Sequence, residues 1–321
     1  MCGIAGFAGL RGADSPPLEV LRGMCRTLVH RGPDAEGVSL RNGVGLAARR
    51  LAIIDVGGGD QPLSNEDGSV EVVFNGEVFN YRELQAGVRN RGHRLGSESD
   101  GEVLPHLWEE SHGEFLAPVN GMFGLALYDS RRKLLVLARD RLGIKPLYYA
   151  ITPSHVVFGS EIKAILASGL VERDLDFDSL RQFLAWEYVP APATLLKGLR
   201  KLEPGELLEI QLDTGRVASR AYWDVPLPDE EQAHIDARIE DKDWENMVGA
   251  ALQTSVHRQL VSDVPLGAFL SGGVDSSLVV SAMGNASTYS IGFNDPGYNE
   301  LKWSRTVAEH LGVRHVSEVI Q

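Results

Sequence analysis

Cys2 directly follows the methionine that opens the chain, and this position allows it to serve as a nucleophile. A small residue after Met1 favours removal of that methionine, which would give Cys2 a free α-amine. A thiol and an amine on one residue can form a nucleophile with its own base, and their reference pKa values of about 8.5 and about 8 lie near neutral pH. The alternative is that Cys2 is a small apolar residue entering a strand, and this residue alone does not separate the two.

Two polar positions farther along the chain could assist a nucleophile. Asn75 and Gly76 offer an amide side chain and an unhindered backbone N–H at the end of a predicted strand, although an Asn-Gly pair is also typical of a type I′ turn. The turn is less favoured because Glu77 and two apolar residues follow instead of a returning strand. Asp100 heads a predicted helix, where its carboxylate could cap the helix or bind a positively charged group.

A phosphate-binding loop is predicted at residues 271–277, which read Ser-Gly-Gly-Val-Asp-Ser-Ser between an apolar strand and a helix. Its two glycines let backbone N–H groups approach phosphate oxygens, and the helix N-terminus adds partial positive charge. No lysine follows the glycines, so the segment is not a Walker A loop, and serine hydroxyls would replace the lysine as phosphate donors. Asp275 is placed to help hold Mg²⁺.

These segments resemble two known families. The ordered motifs of the first 143 residues resemble the class II glutamine amidotransferase family, and residues 271–277 resemble the PP-loop of ATP pyrophosphatases. The pair of domains is similar to the glutamine-hydrolysing asparagine synthetase family, and the resemblance covers nearly the whole chain. The amidotransferase-like motifs are Cys2–Gly6, His30–Asp34, Arg49–Asp55, Asn75–Asn80, Ser99–Glu102 and Ala138–Gly143.

The resemblance implies roles for the residues of the first domain. Cys2 would attack the side-chain amide of glutamine, and Asn75 and Gly76 would form the oxyanion hole. Arg50 would pair with the glutamine carboxylate through its planar guanidinium group. Asp100 would bind the α-ammonium group if another residue, such as Ser99, caps the helix. The remaining residues implied to bind glutamine are Leu51, Ile53, Ile54 and Glu77.

Three basic residues near these motifs are assigned supporting positions. Arg49 is expected to be a solvated neighbour of Arg50. His30 and Arg31 are expected to organise the loop before Pro33 and to take no part in the chemistry.

The resemblance also implies an ATP site and a second reaction. Backbone groups of Leu270 and Ile291 would frame the adenine, and Asp275 would hold Mg²⁺. ATP would convert a carboxylate, by default that of aspartate, into an acyl-adenylate such as β-aspartyl-AMP with release of pyrophosphate. Ammonia from glutamine, carried through an internal tunnel, would then attack it to give asparagine and AMP. The other residues implied to bind ATP are Ser271, Gly272, Gly273, Ser276 and Ser277.

Two alternatives to this function stay open. A related amidotransferase could act on another acceptor, linked to a polysaccharide or a peptide. A glutaminase-only or non-catalytic fragment could bind glutamine or a partner subunit without completing the synthesis. The intact set of Cys2, Arg50, Asn75, Gly76 and Asp100 argues against loss of the first activity.

Composition restricts the class of partner. The 321 residues carry a net charge of −13, which argues against binding to nucleic acid or to an anionic membrane. The two cysteines make no disulfide framework, Cys25 is predicted to be a small buried residue, and no metal-ligand spacing is recognisable. Without a signal peptide or an apolar run of about 18 residues, the sequence predicts a cytoplasmic protein. The oligomeric state is open, with a homodimer among the options.

The order of predicted strands and helices indicates two domains, the first with antiparallel sheets and the second with a parallel sheet. Strands and helices cluster within residues 1–220, which favours layered antiparallel sheets. The resemblance sharpens this to an α+β four-layer αββα sandwich of the N-terminal nucleophile type. The helices predicted there are Leu18–His30, Tyr81–Arg91, Gly101–Glu110, Glu161–Ser168 and Asp178–Trp186.

Residues 221–243 are polar and proline-containing and are predicted to be a linker. From residue 244 to 321 strands and helices alternate, which indicates the start of an α/β domain with a parallel sheet. About three strands cannot have both faces covered, and the second nucleotide motif of the synthetase family is not found. A fragment or a natural truncation would explain this, and the sequence favours the fragment.

Overall fold

The computed structural model describes residues 2–229, 236, 238–295 and 297–320, and the chain divides into two units, Met1–Val225 and Pro226–Gln321. The predicted linker 221–243 spans this division. Its first residue, Ala221, ends a strand, whereas residues 230–235 and 237 lie outside the described part of the chain.

Two six-stranded antiparallel sheets make up the first unit. The first sheet has the order β10-β8-β9-β1-β3-β2 and the second has the order β12-β11-β7-β6-β5-β4. The strands of the first sheet are β1 Gly3–Gly9, β2 Ala35–Arg41, β3 Val44–Arg50, β8 Tyr148–Ile151, β9 His155–Gly159 and β10 Leu199–Lys201. Those of the second are β4 Leu63–Ser64, β5 Val70–Val78, β6 Gly121–Asp129, β7 Leu134–Arg139, β11 Glu206–Gln211 and β12 Arg216–Ala221.

Side-chain alternation along β1 builds two apolar layers. Ile4 and Ala8 lie in a cluster between the sheets, together with side chains of β5, β6, β7 and β11. Ala5 and Phe7 point the other way, into a cluster with helix α1 (Leu18–Arg26) and helix α4 (Ile162–Ala167). Because successive side chains of a strand alternate between faces, one strand contributes to both layers.

Helices also cover the second sheet. Helix α3 (Val103–Ser111) packs against β5, and helix α2 (Tyr81–Asn90) packs against α3. The indole N–H of Trp108 in α3 donates to Asp129 Oδ2 of β6 at 3.0 Å. The predicted four-layer αββα sandwich is therefore confirmed.

Some element boundaries differ from the sequence prediction. The helix predicted to run from Leu18 to His30 ends at Arg26, where the hydroxyl of Thr27 donates to the carbonyl of Met24 at 2.7 Å. The helix predicted to begin at Asp178 begins at Phe177, and its cap is Asp176, whose carboxylate accepts two backbone N–H groups. This is helix α5 (Phe177–Trp186).

Strands β11 and β12 were not predicted, because their frequent charged residues resemble a surface loop.

The second unit contains a three-stranded parallel sheet of order β13-β14-β15. Its elements are α6 Asp241–Gln259, β13 Gly267–Phe269, α7 Val274–Met283, β14 Ser287–Phe293, α8 Leu301–Leu311 and β15 Arg314–Ile320. The predicted alternation of strand and helix is confirmed. Leu270, Val280 and Ala308 form a small buried cluster, whereas alternate side chains of β14, such as Tyr289 and Ile291, are exposed.

Candidate functional site

A cleft in the first unit collects every residue predicted for the nucleophile and for glutamine. It lies where β1 begins and β3 ends, beside β5 and the turn that precedes α3. Its lining residues are Cys2, Arg50, Leu51, Ile53, Ile54, Gly59, Gln61, Phe74, Asn75, Gly76, Glu77, Ser99, Asp100 and Lys145.

The Cys2 thiol sits against the backbone of Leu51. Its Sγ accepts the N–H of Leu51 at 3.4 Å and lies 3.7 Å from the carbonyl oxygen of the same residue. Burial raises the pKa of the Cys2 thiol, and the Leu51 N–H acts in the opposite direction. Cys25 is fully buried, and burial raises its pKa to about 12, so its predicted role as a small core residue is confirmed.

Arg31 fixes the backbone of Cys2, a contact that the sequence did not indicate. Its Nε donates to the carbonyl oxygen of Cys2 at 2.9 Å, and its Nη1 lies 3.0 Å from Glu161 Oε1. Burial opposes ionisation of Glu161, but hydrogen bonds from His30, Lys163 and Arg31 lower its pKa to about 2. Arg31, itself held by Glu161, therefore positions the backbone of Cys2.

The Arg50 guanidinium is buried at the end of β3 and held in one orientation. Its Nη2 donates to the carbonyls of Ile54 and Asp55 at 3.0 and 2.6 Å, and its Nη1 lies 3.2 Å from Asp60 Oδ1. A planar cation fixed in this way is suited to pairing with a carboxylate.

The prediction that Arg49 is solvated is wrong. Its side chain is only 12% exposed, its Nε donates to the carbonyl of Gly32 at 2.9 Å, and its Nη1 lies 3.1 Å from Glu36 Oε2. Neighbouring residues of a strand point to opposite faces, so Arg49 holds the loop before Pro33 while Arg50 faces the cleft.

Asn75 and Gly76 lie inside β5, not at a strand end or in a turn. The strand continues to Val78, with Asn75 opposite Gly124 and Gly76 opposite Phe123. The Asn75 side chain is fully buried, and neither its Oδ1 nor its Nδ2 has a hydrogen-bond partner among the described residues. A buried polar group without a partner costs about 1–3 kcal/mol, so this amide is suited to a ligand.

Close packing explains the glycine after Asn75. A Cβ on Gly76 would lie 2.0 Å from the carbonyl oxygen of Met122, so no other residue fits without moving β6. On the other side, Gln61 Oε1 accepts the backbone N–H of Phe74 at 2.7 Å, and Gln61 Nε2 donates to the backbone carbonyl of Phe74 at 3.0 Å. Sequence reasoning missed Gln61, which fixes β5 next to Asn75.

Asp100 bonds β5 and makes no side-chain cap to the helix. Its Oδ2 accepts the N–H of Val78 at 2.8 Å, and Ser99, which precedes the turn Asp100–Glu102, forms no side-chain cap either. Burial raises the pKa of Asp100 to about 6; the Val78 bond opposes this shift, and the charge of Glu77 adds to it. The expected cap from Ser99 or another residue is not present among the described residues, but Asp100 does not serve as the cap either, and it lines the cleft.

Lys145 is a cleft residue that the sequence analysis missed. It follows the Arg-Asp-Arg-Leu-Gly motif, in a loop where Asp140 accepts the backbone N–H groups of Leu142, Ile144 and Lys145 at 2.9–3.1 Å. Burial lowers the pKa of Lys145, and the nearby charge of Glu77 opposes that shift. Burial likewise raises the pKa of Glu77. The signal that could have identified Lys145 was its position two residues after the motif.

In the second unit the loop at residues 271–277 joins β13 to the N-terminus of α7. Gly272 has φ +87°, and a Cβ there would lie 2.5 Å from the backbone of Trp303, so the loop requires glycine. Ser271 Oγ accepts the N–H of Gly273 at 3.2 Å and lies 3.0 Å from Ser276 Oγ. The Ser277 hydroxyl donates to the carbonyl of Gly273 at 2.7 Å.

A cavity beside this loop contains part of the predicted ATP site. Leu270, Ser271 and Ile291 line it, together with Phe269, Tyr289, Ser290, Glu300 and Ser304. Asp275, Ser276 and Ser277 belong to the first turn of α7 and do not line it.

Asp275 is exposed and belongs to no cluster of three or more candidate metal ligands among the described residues. A single carboxylate fits Mg²⁺, which commonly takes its other ligands from water and phosphate oxygens.

Among the described residues, no helix is long and apolar enough to cross a membrane.

Comparison with known proteins finds two family matches along the chain. Residues 1–223 match the family model described as glutamine amidotransferase domain, and residues 247–321 match the one described as asparagine synthase. One similar solved structure is the glutamine phosphoribosylpyrophosphate amidotransferase of B. subtilis complexed with ADP and GMP. It has a TM-score of 0.51 at 18% identity over 98% of this chain and 65% of its own, which supports the fold.

Two curated relatives extend over nearly the whole chain. Asparagine synthetase [glutamine-hydrolyzing] 1 of Bacillus subtilis is 35% identical over 94% of this chain and 47% of its own length. Amidase chry2 of Gibberella zeae is 33% identical over 98% of this chain and 50% of its own length. The chain thus spans about half the length of these relatives.

Proposed function

Because the chain belongs to the glutamine amidotransferase family and continues into an asparagine synthase segment, we propose that it is a glutamine-hydrolysing ligase. Its first unit would release ammonia from glutamine at Cys2, and its second would use ATP to activate the acceptor. The observation that carries the glutaminase proposal is the fully buried Asn75 amide, without a partner among the described residues, in the cleft of Cys2.

Cys2 attacks the side-chain carbonyl carbon of glutamine in the proposed reaction. Removal of Met1 frees the α-amine of Cys2, which takes the thiol proton and passes it to the leaving nitrogen. The oxyanion is stabilised by Asn75 Nδ2 and the N–H of Gly76. Ammonia departs and leaves a γ-glutamyl thioester, which water hydrolyses to glutamate and the free thiol.

Two opposite charges in the cleft match the two ends of an amino acid. Arg50 pairs with the α-carboxylate, and Asp100 pairs with the α-ammonium group. Leu51, Ile53 and Ile54 line the same pocket. Since both charged groups are buried and held by backbone bonds, their positions are set before the substrate arrives.

Replacement of Cys2 tests the nucleophile. Cys2→Ala should abolish glutamate release, whereas Cys25→Ala, which removes the other thiol, should retain it. Asn75→Ala should lower kcat by about 10²–10³-fold, because one oxyanion donor is lost. Glutamate release is measured on protein whose N-terminal residue is verified by intact mass. Hydrolysis that survives in Cys2→Ala would remove the basis of this proposal.

The raised pKa of Asp100 predicts a pH dependence. A carboxyl with a pKa of about 6 becomes neutral below that pH and then no longer attracts the ammonium group. The value of kcat/KM should therefore fall by about tenfold for each pH unit below 6. At saturating glutamine, kcat should begin to fall only at a pH below that at which kcat/KM begins to fall. Asp100→Asn should raise KM and should abolish the fall of kcat/KM below pH 6. If kcat/KM still falls at the same pH in Asp100→Asn, another group titrates.

The second half of the proposal is formation of an acyl-adenylate. A carboxylate oxygen of the acceptor attacks the α-phosphorus of ATP, and pyrophosphate leaves. Ammonia then attacks the acyl carbon, and AMP leaves. Leu270 and Ile291 border the adenine, the loop at residues 271–277 binds phosphate oxygens, and Asp275 contributes to Mg²⁺ binding. Aspartate is the default acceptor, and the cytoplasm, where thiols stay reduced, is the proposed compartment.

ATP binding by the isolated protein tests this half. Ser271→Ala removes the hydroxyl that orders the loop and should weaken ATP binding by about tenfold, or ~1.4 kcal/mol. The matched control is Ser281→Ala, on an exposed position of α7 away from the loop. Binding is measured by calorimetry with and without Mg²⁺. Equal affinities in the two variants would contradict the placement of the phosphates.

A further inference from the structure

Four side chains that play no part in the proposed reaction converge beside α3. Glu66 comes from the turn between β4 and β5, His93 from the segment after α2, and His106 and Glu109 from α3. One ligand atom from each residue lies within 4.8 Å of all the others. His106 and Glu109 are three residues apart on a helix and so share one face.

Four contacts in this group have lengths near those of a tetrahedral metal site, and the whole group lies within 4.8 Å. His93 Nδ1 lies 3.2 Å from His106 Nδ1, 3.2 Å from Glu66 Oε1 and 3.9 Å from Glu109 Oε2. His106 Nδ1 lies 3.4 Å from Glu66 Oε2. A zinc ion with ligands at about 2.0–2.2 Å in tetrahedral geometry requires ligand atoms about 3.3–3.6 Å apart.

The lone pairs of the group also favour a cation. The Nδ1 atoms of two imidazoles face each other 3.2 Å apart, one of them on the fully buried ring of His106. Glu109 Oε2 is buried and has no hydrogen-bond partner among the described residues. A cation among these atoms would satisfy both nitrogen lone pairs and the carboxylate together.

The far nitrogen of His93 lies near another carboxylate, 3.4 Å from Glu110 Oε1. His106 Nε2 is buried without a hydrogen-bond partner among the described residues, and Glu102 Oε1 lies 4.0 Å from it. Histidines that ligate a metal through one nitrogen usually direct the other to a carboxylate or carbonyl, which orients the ring. The position of Glu110 beside His93 is independent of the inner distances and fits the same kind of site.

We propose that Glu66, His93, His106 and Glu109 bind one Zn²⁺ ion with a structural role. Imidazole and carboxylate are both good ligands for zinc, and four protein ligands leave no open position for catalysis. The residues lie in three separate segments of the sequence, which is why no metal-ligand spacing was recognisable there.

The ion would stabilise the position of the segment that carries Asp100. Glu102, beside His106, also accepts the N–H of Gly96 at 2.8 Å and the hydroxyl of Ser97 at 2.7 Å. Residues 96–102 lead directly into the cleft. A metal that fixes α3 relative to the turn after β4 thus stabilises the carboxylate proposed to bind the ammonium group.

Zinc binding by the full 321-residue chain, without an affinity tag, tests this proposal. Protein stripped with a chelator is titrated with Zn²⁺ alone, and bound metal is counted by native mass spectrometry. The wild type should bind one ion and gain thermal stability, as expected for a ligand of the folded state. His93→Gln and Glu109→Gln should bind zinc at least about tenfold more weakly, and Glu110→Gln about tenfold, as for a lost outer partner.

Two further variants separate this site from other zinc ligands. His310→Gln removes an exposed histidine of α8, and Cys2→Ser removes the reactive thiol; both should bind zinc as the wild type does. Loss of binding in Cys2→Ser alone would place the metal on the nucleophile and overturn the proposal. Equal binding by wild type and His93→Gln, or no binding by the wild type, would overturn it as well.

Discussion

The contact between the two antiparallel sheets is the constraint on which the cleft depends. Ile4 of β1 and Val73 of β5 belong to the same buried cluster, so the strand that follows Cys2 and the strand that carries Asn75 pack together two residues from the proposed nucleophile and oxyanion donor. Face-to-face sheets pack about 10 Å apart, a spacing that side chains from the two strands can bridge. The cleft therefore opens where β1 begins, and the apolar core sets the distance across it.

Burial gives the polar groups of this cleft their properties. Asp100, Glu77 and Lys145 each have a pKa shifted towards the neutral form, and burial is the main cause in every case. Arg50 is fixed by two backbone carbonyls. Such a site is costly without its ligand, since its charges and its amide are buried, and an amino acid that carries both charges can offset that cost.

The sequence predicted the residues of the cleft well but not how the fold supports them. Cys2, Arg50, Asn75 and Asp100 were recognisable because their types and order follow a family pattern. The contact of Arg31 with the Cys2 carbonyl depends on pairing between segments far apart in the chain, which no local pattern reports.

Local sequence patterns also failed to predict the surroundings of residues whose environment is set by strand pairing. Adjacent arginines look alike in sequence, yet strand alternation places Arg49 in an ion pair and Arg50 in the cleft. Asn75 and Gly76 were expected at a strand end, but pairing with β6 extends β5 past them. Short or charged strands such as β11 and β12 were missed because tertiary pairing, and not apolar alternation, defines them.

The most direct test of the central claim is covalent trapping of the nucleophile by an analogue of glutamine. In this analogue a chloromethyl ketone replaces the side-chain amide, so that a thiol displaces chloride and forms a stable thioether. Peptide mapping should find one adduct, on Cys2, and free glutamine should slow its formation. An adduct on Cys25, or labelling of Cys2 that glutamine does not slow, would contradict the account.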